Sequence, residues 1–391
     1  MTSDTLAALQ NLDPSLVTDV VRQDQRSPTF EVLDWTVEPI QFAKILETTG
    51  GLYRFSGHGQ DAQGAKPWSV VLKILKKPAQ GDGDPRDVFY WKREPLAFQS
   101  GLLADFPDAI RAPRCYGVIE RDDGGWLWME YIVESTERRW SLEHFQRAAR
   151  QLGRFGGAYL TGRPLPDQPW LSRSVLRTLN TPSGFWATLM NPDSPKNAWQ
   201  SPVVQQAFAE PLRSHVLRIW ADLPSFIDAM ERLPQVLCHN DLNRRNLMLC
   251  TSPEGQQEVV VLDWAWMGNG AIGSDAGWLV SDGLFLFDYD PAQAAELSAA
   301  VLDVYLAGLR EAGWAGDERL ARLGFSIMAA SWIAILPGWA AMMLGEESTT
   351  DLMAMYGHSA DAVLTGWVTL TKFLLEHADE ATHLMRELNL D

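Results

Sequence analysis

The chain reads as an α+β protein with two unequal lobes, a small β-rich one near the N-terminus and a larger, mostly helical one after it. Three observations lead there. Residues 35–133 carry β-branched and aromatic runs punctuated by glycine and aspartate, with one helical pattern near 93–104. From Ser141 onward, apolar residues recur at helical spacing over long stretches. Within that helical region, at 236–263, short apolar runs suited to strands return. The boundary is placed so that residues 1–133 form the N-terminal lobe, with an extension at 1–34, and residues 134–391 form the C-terminal lobe.

The elements follow in order. The extension is polar, and Leu6, Leu9 and Leu12 mark a short helix. Ser69-Val70-Val71-Leu72-Lys73-Ile74-Leu75 is a strand with a single cation in an apolar run, and alternation turns Lys73 to one face. The Gly-Asp-Gly-Asp run at 81–84 is a loop. Pro95 fits only the first turn of a helix, so the helix carrying Glu94 begins near Arg93. Trp126 to Ile132 is the last strand of this lobe. Ser141 caps an amphipathic helix reaching Leu160, with Phe145, Ala148, Leu152, Phe155 and Tyr159 on one side. Residues 180–235 are helical and rich in tryptophan and proline. Hairpins occupy 236–263, and helices with Gly and Pro breaks run from Ala292 to Leu388.

Composition narrows the function. Hydrophobic residues at 46% and charged residues at 21% describe a globular chain, and 391 residues suffice for a sizeable core. A net charge of −17 argues against nucleic-acid and anionic-membrane surfaces. Cys115, Cys238 and Cys250 form no metal-binding spacing and read as reduced core residues. The N-terminus shows no signal-peptide pattern, so a cytoplasmic protein is expected. Phe325 to Leu344 is uncharged and long enough to span a bilayer, but Pro337-Gly338 interrupts it, which predicts two buried helices or a kinked one.

The chemistry concentrates at 236–263. His239-x-Asp241-Leu242-x-x-x-Asn246 lies between the apolar runs Val236-Leu237-Cys238 and Leu247-Met248-Leu249, and Asp263 closes another apolar run 17 residues after Asn246. This is the layout of a kinase catalytic loop followed by a metal-binding aspartate. Asp241 can accept a hydroxyl proton. Asn246 and Asp263 offer oxygens to Mg²⁺, a hard cation that sits against substrate phosphates.

With Lys73, Glu94 and Met129-Glu130-Tyr131-Ile132 upstream, the chain resembles the aminoglycoside phosphotransferase and choline kinase group of kinase-like small-molecule phosphotransferases. The resemblance covers roughly residues 45–300 and implies a two-lobed protein-kinase-like fold. It implies that Lys73 contacts the α- and β-phosphates of ATP or GTP and pairs with Glu94. The carbonyl of Glu130 and the amide of Ile132 would hold the purine edge, and Asp241 would be the base. Asn246 and Asp263 would bind the metal. His239 would hold the loop without doing chemistry, and Asp275, in Ser274-Asp275-Ala276-Gly277-Trp278-Leu279, would anchor it. On this reading Lys73→Met alters nucleotide kinetics with little loss of stability.

The chain also departs from the pattern. Asn243 stands where protein kinases carry Lys, Asp263-Trp264-Ala265 replaces D-F-G, and no A-P-E segment follows, which disfavours protein-kinase activity. Arg244-Arg245 replaces the Pro-Gly of many relatives, and these arginines either face phosphate or tie the loop to a C-lobe acid. Gly50 and Gly51 form either a phosphate lid or an ordinary hairpin turn. Most of Trp170, Trp186, Trp199, Trp264, Trp266, Trp278, Trp332 and Trp339 are expected in the core, with a minority lining an acceptor pocket. Asp282, Asp288 and Asp290 are candidates for its carboxylates, with an acidic surface loop as the alternative account of Asp288 and Asp290. The reaction expected is Mg²⁺- and nucleotide-dependent phosphorylation of a hydroxyl on a sugar or aminosugar, an amino alcohol or an antibiotic. The alternative is a nucleotide-binding pseudokinase or regulatory module.

Overall fold

The computed structural model describes residues 3–41, 48–136, 139–180, 188, 190, 194, 197–252, 255–345, 348 and 350–391. Trp186 lies outside the described residues.

Two helices open the chain, α1 (Ser3–Gln10) and α2 (Pro14–Gln25). The second was not foreseen. Asp13 caps it through the Ser15 amide, Pro14 occupies its first turn, and Arg26 ends it in a left-handed conformation. Its Val17, Val20 and Val21 are buried with Phe55, Leu72 and Trp128. Burying each such aliphatic side chain contributes roughly 1.5–3 kcal/mol. The polar extension is thereby part of the packed structure.

The sheet below α2 is antiparallel, with strands β1 (Glu31–Pro39), β2 (Thr49–Asp61), β3 (Gly64–Lys76), β4 (Cys115–Arg121) and β5 (Gly124–Glu130) in the order β1-β2-β3-β5-β4. Strand alternation divides β3 cleanly. Val70 and Leu72 join the α2 side, whereas Val71 packs with Leu127 and Met129 on the opposite face, the one Lys73 shares. In register, Lys73 lies between Leu52 on β2 and Leu127 on β5.

Gly50 and Gly51 do not make a hairpin turn. They lie in the first residues of β2, where the register slips between Thr49 and Gly51. The turn joining β2 to β3 falls instead between Asp61 and Gly64. A Cβ on Gly50 would meet Ile74 Cγ2 at 2.9 Å, so strand crowding requires a small residue there.

The foreseen helix at Glu94, α3, spans Arg93–Gln99 and is shorter than its sequence pattern; a 3₁₀ turn follows at Leu102–Ala104. Helix α4 (Leu142–Leu160) starts as expected, with Ser141 and His144 forming a reciprocal cap. It packs along the helix Ala294–Glu311.

The catalytic region is only partly a hairpin. β8 (Leu247–Thr251) and β9 (Gln257–Val261) pair as one, but β7 (Gln235–Cys238) pairs instead with β10 (Gly268–Ala271). β10 is flanked on its other edge by the two-residue strand β6 (Ser172–Arg173). Close approach explains the glycine that hides β10 in the sequence: a Cβ on Gly268 would lie 2.1 Å from the Ser172 carbonyl oxygen.

The apolar stretch at 325–344 resolves into the helix Glu318–Ser331, a 3₁₀ turn Trp332–Ala334 and the helix Leu336–Leu344, with Pro337 in the first turn of the last. This is the one described stretch apolar and long enough to cross a membrane, and 78% of its most apolar window is buried against protein. Cys115, Cys238 and Cys250 are all free thiols.

Candidate active site

Lys73 is the hub of the site. Its Nζ lies 2.6 Å from Glu94 Oε2 and 2.8 Å from Asp263 Oδ1. Burial alone would lower its pKa, but Asp263 and Glu94 override that and hold the ammonium above its usual range. One ammonium faces two carboxylates, and these respond differently. Burial pushes the Glu94 carboxyl up despite Lys73, because its side chain is only 2% exposed. The Asp263 side chain, by contrast, is 41% exposed. There Lys73 outweighs the cost of burial and keeps the carboxyl below its usual value.

Two residues in left-handed backbone shape the loops. Asn240 (φ 65°) immediately precedes Asp241, and Asp263 (φ 58°) begins the turn Trp264–Trp266. Neither is glycine, so the surrounding hydrogen bonds must hold them. Asp275 accepts the His239 amide at 2.8 Å and the Asn240 amide at 3.0 Å. Asn240 in turn donates from Nδ2 to the Trp266 carbonyl at 3.2 Å.

His239 fastens the two loops together. The Asp241 amide donates to its Nδ1 at 3.2 Å, so Nε2 carries the proton and donates to the Leu262 carbonyl at 2.8 Å. That arrangement requires a neutral ring, and burial lowers the His239 pKa in keeping with it. The Leu262 amide donates to the Asn246 carbonyl at 2.8 Å. Leu262 is therefore gripped from both sides one residue before Asp263. Trp264 packs edge-on to His239 with ring centroids 4.8 Å apart.

Asp241 lies inside this frame. Asn246 Nδ2 donates to its carbonyl at 2.9 Å and to its Oδ2 at 3.2 Å. Burial, then the charge of Asp263, raises the Asp241 pKa to about 7, although Asn243, Asn246 and Lys73 oppose the rise. Asn243 also shapes the loop, since its side chain accepts the amides of Arg245 and Asn246 and so caps the 3₁₀ turn Arg244–Asn246.

The two arginines part company. Arg244 is buried, donates to Glu134 at 2.9 Å and lies 4.5 Å from the centroid of Trp140, so it ties the loop to an acid. Arg245 is exposed, and its charge acts on Asp282. Asp282 is buried in the helix Ser274–Phe285, and its Oδ2 has no hydrogen-bond partner among the described residues. Burial and the charges of Asp241 and Asp288 push its pKa well up. Asp290 is exposed and caps a 3₁₀ turn through the Ala292 amide. Trp278 and Trp332 are buried with their rings in contact, and Trp266 is half-buried beside Trp278.

Glu130 ends β5 opposite Val70, and its side chain pairs with Arg111 at 2.8 Å and Arg114 at 3.2 Å. Ile132 follows the strand outside any regular element. Gly50 and Gly51 lie at the start of β2, with Gly51 opposite Ile74 and thus next to the Lys73 pair. Arg93, which the sequence marks only as the start of a helix, is fully buried beside Glu94.

Asn246 and Asp263 carry the hard oxygen donors that suit Mg²⁺. Asn246 turns its Nδ2 toward Asp241, so its Oδ1 and the partly exposed Asp263 carboxylate are the oxygens that would hold such a cation. Among the described residues no cluster of three His, Cys, Asp or Glu side chains forms a metal cage.

A family model described as the phosphotransferase enzyme family matches residues 66–316. The matched span contains Lys73, Glu94, Asp241, Asn246 and Asp263. A comparison with curated proteins found no match. Among solved structures, an amicoumacin kinase complex with AMP-PNP, Ca²⁺ and Ami is similar at 14% identity, over 96% of each chain, with a TM-score of 0.48. An aminoglycoside phosphotransferase from Alicyclobacillus acidocaldarius is similar at 13% identity over 90% of this chain and 92% of its own, with a TM-score of 0.47. A Plasmodium vivax ethanolamine kinase is similar at 14% identity over 86% and 81%, with a TM-score of 0.43. The chain belongs to the phosphotransferase enzyme family and has an α+β fold.

Proposed function

We propose that this chain phosphorylates a hydroxyl of a small molecule with ATP or GTP and Mg²⁺, working in the cleft between a lobe of residues 1–133 and one of residues 134–391. The observation that carries the reading is the joining of Lys73 to both Glu94 and Asp263, beside an Asp241 carboxylate held by Asn246.

Each residue then has a role. Lys73, oriented by Glu94, meets the α- and β-phosphates. The Glu130 carbonyl and Ile132 amide take the purine edge, and the β2 backbone at Gly50 and Gly51 covers the phosphates. Asn246 and Asp263 hold Mg²⁺; the chemistry it supplies when bound is neutralisation of phosphate charge. Asp241 orients the acceptor hydroxyl and takes its proton. A carboxylate poised near pH 7 is matched to that role. Positioning and electrostatics supply the remainder of the catalysis.

The acceptor class is a sugar or aminosugar, an amino alcohol or an antibiotic, bound on the Asp282 side of Asp241. A cytoplasmic location follows from an ATP- or GTP-dependent reaction and three free thiols. The test is a panel of such alcohols with ATP or GTP and Mg²⁺, read by nucleoside diphosphate release and by the mass of the product. A gain of one phosphoryl group on an acceptor supports the reading. Tight nucleotide binding without transfer to any member of a broad panel favours the pseudokinase alternative.

A further inference from the structure

Arg93 is the least expected group in the molecule. It is a fully buried cation, and among the described residues no carboxylate forms a salt bridge with it. Its five N–H groups instead meet five backbone carbonyls. Nε donates to Trp170 at 2.7 Å. Nη1 donates to Val88 and Ala265, both at 2.8 Å. Nη2 donates to Pro85 at 2.9 Å and Asp87 at 2.5 Å. The carbonyls come from three separate places: the loop leading into α3, the chain before β6, and the turn that follows Asp263.

The last of these matters most. Ala265 lies two residues beyond Asp263, in a turn entered through left-handed backbone. Adjacent residues of α3 thus grip the same turn by different means. Glu94 reaches it through Lys73 to the Asp263 carboxylate. Arg93 reaches it directly at the Ala265 carbonyl. A buried guanidinium is costly unless every donor is satisfied. A simple packing role at this site would suit an apolar side chain, which can touch these surfaces but cannot bind carbonyls from three segments at once.

We propose that Arg93 is a positioning residue that locks α3 to the Asp263 turn and to the chain at Trp170, so that Lys73, Glu94 and Asp263 are assembled before nucleotide arrives. The inference rests on the reading of Asp263 as a metal ligand. It makes α3 a fixed part of the site and not a swinging element.

The test uses the full chain with a non-hydrolysable ATP analogue, titrated with and without Mg²⁺, for the parent, Arg93→Ala and Arg93→Lys. Both variants should lose most of the Mg²⁺-dependent gain in affinity, about 100-fold, as expected for misplacement of about an ångström. Guanidinium, added below concentrations that unfold the protein, should restore it in Arg93→Ala. Arg93→Lys should stay impaired, because three donors on one nitrogen cannot replace a five-donor fork. A folded Arg93→Ala that keeps the full gain, or that guanidinium fails to restore, overturns the proposal. Should the variants not fold, hydrogen exchange of the parent decides: amides at 264–266 should exchange as slowly as those of α4, and exchange as fast as an exposed loop overturns the lock. A parent with no Mg²⁺-dependent gain would instead sink the phosphotransfer reading itself.

Discussion

Lys73 Nζ lies 2.8 Å from Asp263 Oδ1, although 190 residues separate them, and 2.6 Å from Glu94 Oε2. One buried positive charge therefore serves two carboxylates, and the cluster is left short of a cation. On the proposed reading Asp263 would hold a divalent metal, and the metal would neutralise charge there. The same relationship revises the expectation that Lys73 can be neutralised at little cost in stability.

Lys73→Met should raise the KM for nucleotide, lower kcat and destabilise the fold. Removing one partner of a buried ion pair costs roughly 3–5 kcal/mol, less whatever Glu94 recovers by taking up a proton. Denaturant unfolding and steady-state kinetics check both halves. An unchanged kcat/KM for nucleotide would remove Lys73 from the phosphate site.

Asp241→Asn should lower kcat by about 10²–10⁴-fold and leave nucleotide affinity nearly unchanged. It should also stabilise the metal-free protein, but only at higher pH. The folded pKa of about 7 lies above the ordinary carboxylate value, so folding favours the protonated form. Stability from this group is fully present below the unfolded pKa and is lost as pH rises through about 7. Asparagine cannot ionise. Melting curves without Mg²⁺ should therefore separate variant from parent at pH 8 and coincide at low pH; the reverse order would show that Asp241 is not held in a hostile environment.

Asp263→Ala should abolish the Mg²⁺-dependent part of nucleotide affinity while the fold persists, since Glu94 still pairs with Lys73. Calorimetry with and without Mg²⁺ reads this directly. A variant that keeps the whole Mg²⁺ effect would rule out Asp263 as the ligand.

Asp282→Asn should raise the KM for the acceptor about tenfold, the loss expected when one hydrogen bond to the acceptor is removed. Nucleotide binding should not change, and thermal stability should rise only at higher pH, where a carboxyl forced to ionise in a buried site is replaced by an amide that cannot. A normal acceptor KM would place the acceptor elsewhere.

The sequence by itself marked the candidate chemistry-bearing positions and most local structure. His239, Asp241 and Asn246 are legible because a loop's spacing is local. Lys73 stands out as a lone cation in an apolar strand, and Ser141 and Pro95 announce helix starts through backbone chemistry that each residue type carries. The tertiary structure alone decided what meets what. It paired β7 with a glycine-containing strand, β10, which carries no strand signature because Gly268 is there to let Ser172 approach. It gave Arg244 to Glu134 and left Arg245 exposed, a choice two adjacent identical residues cannot encode. It also buried Arg93 among five carbonyls. The physical reason is general: every residue presents the same backbone carbonyl, so a site built from backbone acceptors leaves no mark in the residue types that supply them.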